Sequence, residues 1–118
     1  MSTIILEDME FYAYHGCMEH ERQIGNTYFV TVSMELDTAK AGKSDNLNDT
    51  LNYKEVYDVI KAQMEIPSNL IEHVSQRILN SLAEKFPQVN TFHLSLSKVA
   101  PPLGGKTGRA TIQLSFSR

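Results

Sequence analysis

The hydrophobic period of this chain changes twice, and that change limits what it can fold into more than any other feature. Val30, Val32, Met34 and Leu36 alternate with Thr31, Ser33, Glu35 and Asp37. Strict alternation puts apolar groups on one face of a strand and polar groups on the other, as in an antiparallel sheet with one wet face. Tyr53, Val56, Tyr57, Ile60 and Met64 then recur at the spacing of one helix face. Pro67 interrupts, and a second helix is predicted from about Leu70 to Phe86, with Ser68 or Asn69 as its N-cap. Alternation returns at Phe92, Leu94 and Leu96, and again at Ala110, Ile112, Leu114 and Phe116 after the turn PPLGGKTG. Residues 3–14 are rich in β-branched and aromatic side chains and read as a first strand, with an irregularity at Glu7-Asp8. The polar stretch Ala39 to Thr50 reads as a loop. The predicted order is ββααββ, an α+β domain with a four-stranded antiparallel sheet and two helices on one face.

Composition narrows the function classes. A chain of 118 residues is expected to form one domain spanning 1–118. A net charge of −3 gives no basic patch of the kind nucleic acid requires. The apolar runs are too short to span a membrane. Acidic residues by position 7 argue against a secretory signal. A single cysteine, Cys17, excludes an internal disulfide and fits a reducing cytoplasm.

Two charged residues sit where apolar ones are expected. Neighbours on a helix differ by about 100°, so Glu72 and His73 in NLIEHVSQRI cannot face the same way. Glu72 falls on the apolar flank, between Leu79 and Ala83; His73 falls on the wet side with Arg77, Asn80 and Glu84. A carboxylate on an apolar flank needs a partner. It can complete a capping box with Asn69, or it can grip a ligand rich in hydrogen-bond donors. Lys98 follows Phe92, Leu94 and Leu96 in the same strand parity, so its ammonium points toward the core. It either snorkels to an edge or serves acid–base or Schiff-base chemistry. Pro101-Pro102 end the strand at once, which puts Lys98 at a rim.

Other motifs carry less. GGKTG resembles the end of a phosphate loop, but the first glycine of that pattern is Ala100 here and a strand follows, not a helix. HGCMEH offers His15, Cys17 and His20 as zinc donors, without a second cluster to complete a site. No G-x-S-x-G, HExxH or dinucleotide fingerprint is present.

Five stretches in order, FYAYHG, ERQIGN, DNLNDTLNYKEV, NLIEHVSQRI and SKVAPP, together resemble the dihydroneopterin aldolase family of folate biosynthesis. The resemblance spans nearly the whole chain. It implies the tunnelling fold, in which subunits close into a ring around a barrel, and an octamer of two stacked tetramers with active sites between subunits. It implies a lyase that needs neither metal, cofactor nor Schiff base. The implied reaction is retro-aldol cleavage of dihydroneopterin, with epimerisation at C2′ as a side activity. By position, Lys98 matches the family's catalytic lysine, Tyr53 its active-site tyrosine and Glu21 a glutamate near the substrate side chain. Glu72 matches the pterin anchor, and Leu51 and Ile71 match positions whose backbone approaches the pterin. Lys106 and Arg109 lie in a segment where the family varies; two extra cations would suit a phosphorylated substrate, as in the related triphosphate epimerases, but the favoured reading is a solvated turn. A zinc-dependent pterin enzyme of the same fold would need the histidines to converge.

Overall fold

The computed structural model describes residues 1–118. The elements are β1 (Ser2–Ala13), α1 (Glu19–Ile24), β2 (Asn26–Leu36), α2 (Ala39–Ser44), α3 (Tyr53–Met64), α4 (Ile71–Lys85), β3 (Thr91–Val99) and β4 (Arg109–Ser117), with a short 3-10 turn at Leu47–Asp49. The strands form one four-stranded antiparallel sheet in the order β1-β2-β3-β4. The two long helices cover one face. The expected ββααββ core is therefore present, with α1 and α2 as additions: α2 and the 3-10 turn lie in the stretch expected to be loop.

The core is built as the alternation requires. Tyr28, Val30, Val32, Met34 and Leu36 of β2 and Phe92, Leu94 and Leu96 of β3 are buried, and they meet Val56, Ile60 and Met64 of α3 and Val74, Ile78, Leu79 and Leu82 of α4. Phe11 of β1 stacks on Tyr57 of α3, with ring centroids 5.6 Å apart. The opposite sheet face carries Thr31, Ser33, His93, Ser95, Gln113 and Ser115, the polar half of the same alternation. Arg118 ties the chain end to α4 by donating to the carbonyl oxygens of Ala83, Phe86 and Val89. Ala83 lies in the last turn of α4, whose carbonyl groups the helix itself leaves unpaired.

The irregularity at Glu7-Asp8 is a β-bulge. Leu6 pairs with Val32 and Met9 with Val30, so two residues of β1 face the single Thr31. Asp8 adopts φ 52 and its N–H donates to Thr31 Oγ1 at 2.9 Å. In a regular, unbulged strand Leu6 and Met9, three residues apart, would fall on opposite faces, because side chains alternate with period two.

The helix start departs from expectation. The N-cap of α4 is Leu70, which makes no side-chain cap bond. Ser68 and Asn69 are engaged elsewhere: the Ser68 amide donates to His15 Nδ1 at 3.0 Å, and Asn69 Oδ1 accepts from Arg22 at 3.3 Å. The capping-box reading of Asn69 and Glu72 therefore fails. Arg77, expected on the wet side, is half-buried and donates to the carbonyl oxygens of Gln63, in the last turn of α3, and Ile66, just beyond it.

The molecule is long for its size. Its radius of gyration is 15.7 Å and its extents are 53 × 24 × 23 Å, against roughly 13.5 Å for a compact chain of this length. β1 and β4 each pair on one side only, so both sheet edges are open. No helix is long and apolar enough to cross a membrane.

Candidate functional site

Lys98 and Glu21 come together at one end of the sheet. Lys98 lies opposite Tyr28 on β2 and Ala110 on β4, on the core face that its parity predicts. It is only 8% exposed, so it does not snorkel into water. Its Nζ donates to Glu21 Oε2 at 2.5 Å and to the main-chain oxygen of His15 at 3.3 Å. An ammonium carries three donors; one is left for a molecule in the adjacent cleft. That cleft, about 160 Å³, is lined by His15, His20, Glu21, Asn26 and Lys98 among others. The hydrogen bond from Lys98 holds the Glu21 carboxyl below its ordinary range.

Glu21 reaches Lys98 because of α1. Two features fix this short helix. Arg22 donates to the carbonyl oxygens of Gly16 and Cys17 at 2.7 and 3.0 Å. Gly25 ends it at φ 78, with Tyr12 and Tyr14 so close that a Cβ there would lie 2.5 Å from the Tyr12 ring. Only glycine combines that backbone angle with that approach. The Tyr12 hydroxyl donates to the Ile24 carbonyl oxygen at 2.7 Å.

His15 is the residue that spacing alone did not assign. It is 1% exposed. Its carbonyl oxygen also accepts from the Tyr28 hydroxyl at 2.7 Å, and its ring stands edge-on to Tyr28 at 5.2 Å. Burial, with Arg77 and Lys98 adding to it against a Met64 backbone interaction, lowers its pKa to about 4. The metal-donor reading of HGCMEH finds no cluster. His15 is buried, the Cys17 thiol donates to the Asn69 carbonyl oxygen at 3.3 Å, and no three His, Cys, Asp or Glu side chains converge.

The His15 shift has a measurable consequence. Between about pH 4 and its ordinary 6.5, the unfolded chain holds a proton on this ring that the folded chain does not. Stability from this group is therefore lost as pH falls through that window. Glu21, depressed by Lys98, acts in the same direction, since its pairing is lost as pH falls through its lowered value. From pH 7 to 5, wild type should lose about 2 kcal/mol more than His15→Asn, read from denaturant midpoints. Equal losses in both would show that the ring takes up protons freely in the fold.

A family model described as dihydroneopterin aldolase (FolB) matches residues 4–115. The chain belongs to the dihydroneopterin aldolase family. The dihydroneopterin aldolase of Bacillus subtilis (strain 168) is 35% identical over 116 residues, covering 98% of this chain and 97% of that protein. That of Staphylococcus epidermidis is 38% identical over 103 residues, covering 86% and 85%. The fold is that of the E. coli dihydroneopterin aldolase solved in complex with neopterin, with a TM-score of 0.92 at 20% identity over 99% of this chain and 100% of that one.

Against that membership, the positions matching the dihydroneopterin aldolase motifs lie in three places. Glu21 and Lys98 share the cleft. Leu51, buried, and Tyr53, 58% exposed, lie where α3 begins; Ile71, half-buried, and Glu72, exposed, lie in the first turn of α4. None of these four lines the Lys98 cleft. Glu72 thus corrects the inward reading. Its angular position beside Leu79 holds, but no element of the chain covers that flank at the first turn, and the carboxylate faces solvent. Arg109 is also relocated. It pairs with Val99, one residue beyond Lys98 and so on the other sheet face, where its guanidinium lies 4.4 Å over the Phe29 ring.

Proposed function

We propose that this chain is a lyase that cleaves the trihydroxypropyl side chain of 7,8-dihydroneopterin, releasing glycolaldehyde and leaving 6-hydroxymethyl-7,8-dihydropterin. Family membership supports the activity, and the buried Lys98–Glu21 pair at a cleft carries the assignment of residues. In this reading a proton leaves the 2′-hydroxyl and the C1′–C2′ bond breaks. The electron pair delocalises into the ring C=N conjugated with C1′, and a proton returns to C1′. The net change is one proton moved from oxygen to carbon. Lys98 relays it, directly or through a water, and Glu21 holds the ammonium in place. Tyr53 assists the return. Glu72 accepts two donors from the pterin, an N–H and an amino group side by side, in the forked geometry that suits a carboxylate. The main-chain groups of Leu51 and Ile71 meet the ring. With the ring as electron sink, the chemistry needs neither metal nor imine. Epimerisation at C2′ follows from rotation and re-addition of the bound aldehyde.

Leu51 and Tyr53, a length of α3 away from the α4 turn that carries Ile71 and Glu72, fit a site completed between copies. Both sheet edges are open, and ring closure would pair them. We take the working form to be an octamer of two stacked tetramers, acting in the cytoplasm. Light scattering should give a mass many times the 13.3 kDa of one chain in an active sample; a fully active monomer would sink the shared-site reading. Of the two cations that would suit a phosphorylated substrate, Arg109 lies on the far face from Lys98. Turnover of 7,8-dihydroneopterin and of its triphosphate, with product analysis, tests the choice. Cleavage of the former to glycolaldehyde is expected, and epimerisation of the triphosphate alone would overturn it.

A further inference from the structure

We propose that His15 is a positioning residue for Lys98: its ring, locked to the Ser68 amide, fixes the main-chain oxygen against which the lysine ammonium is aimed. The proposal rests on the reading that Lys98 transfers the proton.

β1 ends at Ala13, and the chain must then leave the sheet to reach α1. A main-chain carbonyl in such a connection is ordinarily mobile. Here it is clamped from both sides. His15 Nδ1 accepts from the Ser68 N–H at 3.0 Å, and the Gly16 N–H donates to the Ser68 oxygen at 2.9 Å. The pair of bonds joins residues 15 and 16 to one residue of the α3–α4 linker as a sheet ladder would. The His15 oxygen is thereby presented to two donors at once, the Tyr28 hydroxyl and the Lys98 ammonium, and a carbonyl has two lone pairs to serve them.

The clamp needs one tautomer. An acceptor Nδ1 requires the ring proton on Nε2. That Nε2 is buried and has no hydrogen-bond partner; the Met64 backbone lies near it. The charged and titratable groups around the ring are Arg77 of α4, Lys98 of β3, Tyr28 of β2 and, beyond Lys98, Glu21 of α1. Both cations oppose a charge on the imidazole. A protonated Nδ1 would face the Ser68 N–H, donor against donor, and the clamp would open.

Ser68 extends the connection. Its Oγ accepts from Arg77 Nη2 at 2.9 Å and contacts His73 Nδ1 at 2.8 Å. His73 is the neighbour of Glu72, so His15 and Ser68 link the lysine cleft to the helix turn assigned to the pterin. This gives the α3–α4 linker a role that burial alone does not suggest.

The test is a double-mutant cycle on the assembled enzyme. Asparagine places an acceptor oxygen where Nδ1 sits, and leucine places none. His15→Leu should lower kcat for 7,8-dihydroneopterin about 10- to 100-fold, the scale of a misplaced catalytic group, while binding of neopterin changes less than about threefold. His15→Asn should recover most of that loss. In a Lys98→Ala background, His15→Leu should cost little more, because a residue acting through Lys98 cannot act without it. An equal cost in both backgrounds would make His15 merely structural, while a Lys98→Ala enzyme of normal activity would instead defeat the reading beneath it. Ring nitrogen NMR of the wild type tests the clamp without activity and without a variant. An unprotonated Nδ1 and protonated Nε2 from pH 5 to 9 are expected, and a protonated Nδ1 would overturn the proposal.

Discussion

Lys98→Ala should lower turnover of 7,8-dihydroneopterin by roughly two to four orders of magnitude, the range of a general acid–base group. The substitution removes the ammonium and leaves the Glu21 carboxylate without its 2.5 Å partner, so neither half of the pair can substitute for the other. Pterin affinity should fall far less, since the proposed function assigns the ring to Glu72 and the main chain at Leu51 and Ile71. A loss confined to kcat is the mark of a group used in the transition state and not in binding. The substrate side chain offers hydroxyls and no ketone or aldehyde, so there is nothing for an amine to condense with. Borohydride added during turnover should leave Lys98 unmodified, and chelators should leave the rate unchanged. Activity of Lys98→Ala within tenfold of wild type would remove Lys98 from the chemistry. A pterin-bearing mass on Lys98 after reduction, which the released glycolaldehyde cannot supply, would put an imine in place of proton transfer.

Glu72→Gln should weaken pterin binding about 100-fold with the fold intact. The carboxylate offers two acceptors to two adjacent donors; the amide offers one acceptor and turns a donor against the other. Losing a charge-assisted hydrogen bond in a closed site costs a few kcal/mol. Glu72 is exposed on the single chain, so chain stability should hardly change, and the circular dichroism and thermal midpoint of a dissociated sample should match wild type. His73→Ala probes the same turn and should alter pterin affinity much less. Titration calorimetry with neopterin separates the two, and near-normal affinity of Glu72→Gln would remove it as the anchor.

The parts of the fold legible in the sequence are those where one face is wet. Alternation exposed β2, β3 and β4 because most of their outward positions are polar, among them Thr31, Ser33, Glu35, His93, Ser95, Gln113 and Ser115. The bulge was legible only as an irregularity at Glu7-Asp8 in a β-branched and aromatic run; that Leu6 and Met9 share a face came from the fold. α1 and α2 left no trace, since neither buries a residue and so neither has an apolar stripe to read. Lys98 was legible from parity. Its partner Glu21 lies 77 residues away, and only the fold brings such a pair together. The helix angle of Glu72 was legible, but what covers that angle depends on where the helix ends relative to the sheet. Ser68 and Asn69 are good capping residues by type, yet His15, Arg77 and Arg22 bind them first. The local preference of a capping residue yields when tertiary partners offer more bonds.

The bulge at Glu7-Asp8 also governs what the open edge of β1 will accept. A straight edge strand presents an even ladder of N–H and C=O groups, and any extended peptide can dock on it and propagate. At this bulge the strand bends and the ladder loses its spacing midway, with Asp8 turned to φ 52 and its amide committed to Thr31 within the sheet. A stray segment laid along β1 would stay in phase for only a few residues before falling out of step. Deleting one of the two bulge residues would leave a single residue opposite Thr31, keep Ile4, Leu6 and Met9 on one face, and remove that mismatch by straightening the edge. A single extra residue thus screens the chain from indiscriminate strand addition during synthesis and folding.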